Sequence, residues 1–194
     1  MEKNIIFFMP SFEGGGVEKN IILIANYFSK RNKSIFLITS SKKIENKFNA
    51  KIKIITPKYN FWDKFGRAPK YFVCSYLLIK TFLLKSNLKV FCFQGNILCT
   101  ILCKILNLKI VIRPNSSPSG WSKNIIKKFI FKKVLSYADE IIVNSLKFKL
   151  ELKSKLKLNS KCIYNPLNIN QIKKLSNKRI KINFYKKKSL NIIS

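Results

Sequence analysis

Residues Asn4 to Arg31 read NIIFFMPSFEGGGVEKNIILIANYFSKR, and this stretch decides the fold. Ile5-Ile6-Phe7-Phe8 is apolar at every position, so both faces of the strand it forms must be covered. Pro10 to Gly16, PSFEGGG, is a loop of turn formers. Beyond it, Val17, Ile21, Ile24 and Phe28 recur at helical spacing, one apolar stripe of a helix. A buried strand, a glycine-rich turn and an amphipathic helix make the opening of a parallel α/β unit.

The rest of the chain repeats that grammar. Apolar runs at Ile35–Ile38, Ile52–Ile55, Val90–Phe93, Lys109–Arg113, Glu140–Asn144 and Cys162–Tyr164 read as strands. Helical segments are expected at Tyr71–Leu84, Ile97–Leu106, from the loop after Arg113 to Tyr137, and at Leu146–Leu156. The expected fold class is α/β: a single Rossmann-like, doubly wound parallel sheet with helices on both faces. Ligands of such sheets lie outside the carboxyl ends of the strands. The candidate site is therefore formed by the loops Pro10–Gly16, Gln94–Asn96 and Pro114–Ser122.

Composition excludes several functions. The 194 residues contain no histidine, which removes the Ser-His-Asp triad, the Cys-His dyad and imidazole metal sites. Hydrophobic residues at 47% are too many for a disordered polycation. The five cysteines include no CxxC pair, so no metal is expected, and reduced thiols fit a cytoplasmic setting. The longest charge-free apolar stretch, Val90 to Cys103, has 14 residues and contains Gln94, Gly95 and Asn96, too short to span a bilayer. No secretory signal is visible, because the run Ile5–Met9 meets Pro10.

The net charge of +31 is carried mostly by lysine; Arg31, Arg67, Arg113 and Arg179 are the arginines. Scarce arginine argues against base-edge and phosphate reading, and no nucleic-acid partner is expected. The alternatives are an anionic membrane surface, a phosphorylated ligand, or a compositional bias toward Lys, Asn and Ile without functional meaning.

Two motifs carry chemistry. EGGGVEK, Glu13 to Lys19, removes three β-carbons at a strand-to-helix turn. The backbone of Gly14, Gly15 and Gly16 is then free to adopt φ > 0 and to present amides to a phosphate. The GxGxxG spacing of dinucleotide folds is absent, as is a Walker loop. RPNSSPSGW, Arg113 to Trp121, sets a cation and polar side chains just past a strand, with Arg113 and Asn115 foremost.

Together these residues resemble a known family. FFMPSFEGGGVEKNIILIANYFSKR, then RPNSSP, YADEIIVNS (Tyr137–Ser145) and IYNPLN (Ile163–Asn168) follow in the order seen in family 4, group 1, retaining glycosyltransferases of the GT-B fold. The resemblance implies that residues 1–170 form the acceptor-side N-terminal domain. Residues 171–194 would be a linker and the first strand, Leu190–Ile193, of a second, donor-binding domain that is missing. It implies that Gly14, Gly15 and Gly16 face the donor sugar and diphosphate, and that Arg113 and Asn115 line the inter-domain cleft. Asn165-Pro166 would mark the exit toward the second domain. That domain's paired-glutamate motif is not here, since no acidic residue follows Glu151.

The function so implied is hexosyl transfer from a nucleotide-sugar to a glycan or lipid-linked acceptor, in polysaccharide biosynthesis. No cofactor is implied beyond the nucleotide-sugar substrate. Partners would be the nucleotide-sugar, the acceptor and a chain supplying the C-terminal domain. No catalytic base is assigned, with Glu13 and Glu18 the carboxylates of the first loop. Basic, aromatic segments at Tyr59–Phe72 and Ile125–Tyr137 suit peripheral contact with the inner membrane face. For the second, the alternative is a core helix with a lysine-rich solvated side. The competing function classes are a non-catalytic binding module and a basic protein that binds nucleic acid or a membrane surface.

Overall fold

The computed structural model describes residues 4–31, 34–116 and 125–177. The expected strand Leu190–Ile193 lies outside them, as do Ser117–Ser122 of the loop after Arg113. Strands β1 (Asn4–Phe8), β2 (Ile35–Ile38), β3 (Ile52–Ile55), β4 (Leu88–Cys92), β5 (Lys109–Ile112), β6 (Glu140–Val143) and β7 (Lys161–Cys162) form one sheet. Their order is β3-β2-β1-β4-β5-β6-β7, every pair parallel. The expected doubly wound sheet is observed.

The register explains why β1 is apolar throughout. Ile6 lies between Phe36 and Val90, and Phe8 between Ile38 and Cys92. Ile6 and Phe8 belong to the core on one face, with Leu78, Cys99 and Ile112. Phe7 and Met9 belong to the core on the other, with Ile21, Ala25 and Phe93. Alternate side chains of one strand thus feed two cores. Phe7 meets Phe28 of the first helix edge-on at 5.9 Å between centroids.

The helices are α1 (Gly16–Ser29), α2 (Arg67–Leu84), α3 (Asn96–Ile105), α4 (Ile125–Leu135), α5 (Leu146–Glu151) and α6 (Ile169–Ser176). Helix α2 begins at Arg67 rather than at Tyr71. Pro69 falls in its first turn, where an amide has no intrahelical acceptor to lose. The segment expected as one helix over Leu146–Leu156 splits into α5 and a wider π turn, Leu152–Leu156, ending at Lys157 with φ 56°. Helix α6 crosses the expected domain boundary at 170 and buries none of its residues. No helix among the described residues is long and apolar enough to cross a membrane. Cys74, Cys92, Cys99 and Cys103 are free thiols buried in the core, as small apolar side chains would be.

Two successive crossovers carry the chain from β1 to β2 and β3, and the third returns it to the opposite side of β1. The loops after β1 and β4 therefore diverge above neighbouring strands, opening a crevice at their carboxyl ends.

Candidate functional site

The three loops chosen from the sequence do meet. The amide of Ser11, after β1, donates to Gln94 Oε1, after β4, at 2.8 Å. Asn115, after β5, donates through Nδ2 to the carbonyl of Phe93 at 2.6 Å. The loop after β2 joins from the other side, where Ser40 donates through Oγ to the carbonyl of Pro10 at 2.7 Å. These bonds tie the loops to one another across long sequence separations and give the crevice a fixed polar floor.

The glycine loop is arranged by a side chain of its own helix. Glu18, in the first turn of α1, reaches back so that one carboxylate oxygen accepts from the amides of both Glu13 and Gly14, the latter at 2.6 Å. A helix N-terminus favours such an anion, and the side chain resembles the reciprocal half of a capping box. Two of the amides available to a phosphate are thus taken by the protein itself. No hydrogen bond engages the amides of Gly15 and Gly16 among the described residues. Gly14 has φ 91°, which demands glycine. Gly15 does not: its φ is −106°, and a β-carbon there meets no atom within 4 Å.

A charged cluster stands beside this loop. Arg67, at the start of α2, donates through Nε and a terminal nitrogen to the two oxygens of Glu13, at 3.1 and 2.6 Å. Ser11 donates through Oγ to the same carboxylate at 2.8 Å. The Arg67 bond, followed by that of Ser11, draws the Glu13 pKa from the usual 4.5 down to about 2. A carboxylate so acidic is a weak proton acceptor near neutrality. Glu18 is committed to backbone amides, so the geometry frees neither acid of the loop to act as a base.

Around these groups lies a cleft of about 850 Å³. Gly14, Gly15, Glu13 and Arg67 line one side; Gln94, Asn96 and Asn115 line the floor. Gly95, at φ 72°, begins α3 under the ring of Tyr71, and its absent β-carbon would lie 3.6 Å from that ring. A smaller cavity of about 230 Å³ adjoins, lined by Gly16, Asn20, Arg113, Asn144 and Asn165, and it shares Val17, Pro114 and Asn115 with the first. Gly14, Gly15, Gly16, Arg113 and Asn115, all singled out from the sequence, line one or both cavities.

Arg113 is placed differently from a ligand-edge cation. It is only 4% exposed, and one terminal nitrogen donates to the carbonyl of Ile163 at 3.1 Å and to Asn165 Oδ1 at 2.9 Å. Burial pulls its pKa below the usual arginine value. The side chain ties the end of β5 to the Asn165-Pro166 exit from β7. Arg67 is the cation on the cleft that sequence reasoning passed over. The sequence set it in the basic, aromatic segment Tyr59–Phe72, and nothing local signals that Glu13, 54 positions earlier, would hold it.

Helix α4 carries Ile126, Phe129, Ile130 and Val134 at helical spacing. Val134 and Leu135 are buried, while Phe129 and Ile130 face outward and are exposed. Its outer side is therefore mixed, lysines alternating with large apolar groups.

No protein family matches the sequence, and a search of curated proteins finds no relative. Solved structures do match. The chain resembles Anabaena Alr3699/HepE in complex with UDP and glucose, with TM-score 0.59 and 17% identity over 87% of this chain and 46% of that one. The same protein with UDP alone matches at TM-score 0.59 and 18% identity over 86% and 45%. Its UDP-glucose complex matches at TM-score 0.59 and 17% identity, again over 86% and 45%. At this identity the likeness shows the fold, and the chain spans about half the length of those proteins.

Proposed function

We propose that this chain takes part in glycosyl transfer, as the acceptor-side domain of a retaining, family 4 GT-B enzyme that moves a hexose from a nucleotide-sugar to a glycan or lipid-linked acceptor. The observation that carries the reading is the convergence of the loops after β1, β4 and β5 on one cleft, with Gly14, Gly15 and Asn115 on its wall. The open amides at the start of α1 suit the diphosphate of a donor, whose developing charge on departure they would stabilise. The fold supports the same reading, since HepE has been crystallised with UDP and with UDP-glucose. On this reading a second domain, on a partner chain or elsewhere, supplies the other wall of the cleft and most of the nucleotide contacts.

A second reading, ligand binding without transfer, is favoured by the engagement of Glu13 with Arg67 and of Glu18 with the loop amides. Saturation-transfer difference NMR with UDP-glucose and GDP-mannose tests the first. Saturation transfer from the protein to the sugar protons of either ligand is the expected result. It should be lost in Asn115→Ala at a temperature where the variant is still folded, since losing the bond to the Phe93 carbonyl should also cost some stability. No signal from any nucleotide-sugar would remove donor binding from this domain. Binding without turnover, even when a complementary domain is added, would favour the second reading.

A further inference from the structure

The cleft has two unlike ends. Its polar end is the loop floor, where Gln94, Asn96 and Asn115 face Glu13 and Arg67. Its other end is walled by helices: Ile97, Leu98 and Ile101 of α3, with Phe131 and Leu135 of α4. Ile101 is 39% exposed, and Ile105, one turn further along the same helix, is 74% exposed. The apolar wall thus runs from inside the cleft out onto the surface.

We propose that the α3–α4 side of the cleft holds the hydrocarbon chain of an amphiphilic acceptor whose polar head lies on the loop floor. The term acceptor rests on the glycosyl-transfer reading; the amphiphile does not. Both walls are helices, whose backbone N–H and C=O groups are spent internally beyond the first turn of α3. They offer no sheet edge to an extended peptide, which would carry unpaired backbone groups into an apolar trough. A hydrocarbon chain has no such groups and gains from every methylene it removes from water. Continuity with the polar floor requires that the chain carry a polar head at one end. Lys104 of α3 and Lys128 and Lys132 of α4 are exposed, a setting suited to an anionic lipid surface from which such a molecule would be drawn.

The experiment is a titration calorimetry series with methyl, butyl, hexyl and octyl β-glucoside, each below its micelle concentration. Affinity should rise about two- to fourfold per added methylene, the range for partial to full burial. In Ile101→Asp the rise should collapse, and in Ile101→Ser, a milder change at a partly exposed site, it should shrink. Leu83→Asp, on the outer side of α2 and away from the cleft, should keep it. A flat series in the parent, a full rise in Ile101→Asp, or loss of the rise in Leu83→Asp would each overturn the proposal. UDP-glucose binding, followed separately, keeps the two readings apart. A flat series with nucleotide-sugar binding intact sinks this inference alone, and a rising series without it sinks the donor reading alone.

Discussion

Glu18 Oε1 accepts the amide of Gly14 at 2.6 Å, and the amide of Glu13 beside it, from a position four to five residues further along the chain. The loop that would receive a phosphate is therefore held in shape by an anion of its own. Removing that carboxylate as Glu18→Ala should cost about 1–3 kcal/mol, the range for a lost cap with charge-assisted bonds. The vacated amides should then take a free anion. Urea unfolding in phosphate against chloride should show a larger phosphate stabilisation for the variant than for the parent. Equal salt effects in the two proteins would mean that the loop does not form an anion nest.

The pairing of Glu13 with Arg67 makes a prediction about pH. Its carboxyl, drawn down to about 2, stays charged through mild acid. Because the folded value lies below the unfolded one, the stabilisation is complete above the usual carboxylate range and is lost as pH falls toward 2. Carbon-13 carboxyl shifts should show Glu13 titrating well below the other glutamates. In Arg67→Met the midpoint should move up toward the ordinary range. A midpoint near 4.5 in the parent protein would show that the ion pair does not persist in solution.

Arg113 should behave as a structural residue as much as a site residue. Arg113→Met leaves the carbonyl of Ile163 and Asn165 Oδ1, both partly open to solvent, without their protein donor, at a cost of about 1–2 kcal/mol. Ile163 also donates its amide to Val143 at 2.8 Å, the last rung between β6 and β7. Hydrogen exchange at Ile163 should accelerate in the variant more than at Ile6, deep in the sheet. Arg113→Lys should not restore protection, since one ammonium on a flexible stem poorly replaces a planar donor set spanning two acceptors. Full protection in both variants would show that the guanidinium does not hold the β7 edge.

Much of the architecture was legible because strand and helix periods report how a segment divides between core and water. The run Ile5–Phe8 could only be a doubly covered strand, and the two cores on either side of it bear this out. The convergence of the three loops followed from topology once the strands were known. Other features leave no such trace. That Glu18 would turn back on the loop, that Arg67 would meet Glu13 and that Arg113 would point inward depend on rotamers and on packing across the sheet. Periodicity carries no information on these. The division of the Leu146–Leu156 segment at Leu152 was hidden for the same reason, since the apolar spacing runs through it unchanged.

The glycine loop separates strain from occupancy. From sequence, Gly14, Gly15 and Gly16 are all free to adopt a left-handed backbone; in the structure that conformation belongs to Gly14, at φ 91°, while Gly15 is at −106°. Gly14→Val forces a β-branched residue into a region it strongly avoids, and should cost about 1–3 kcal/mol of stability. Gly15→Val meets no neighbouring atom and should change stability by less than about 1 kcal/mol, as for an unfavourable helix cap. Its side chain would occupy the cleft wall beside the free amides at the start of α1. Saturation transfer to UDP-glucose should therefore fall sharply in Gly15→Val, although its melting temperature stays near that of the parent. If instead Gly15→Val unfolds the domain, or binds the nucleotide-sugar as the parent does, the loop does not hold the ligand in the way the cleft suggests.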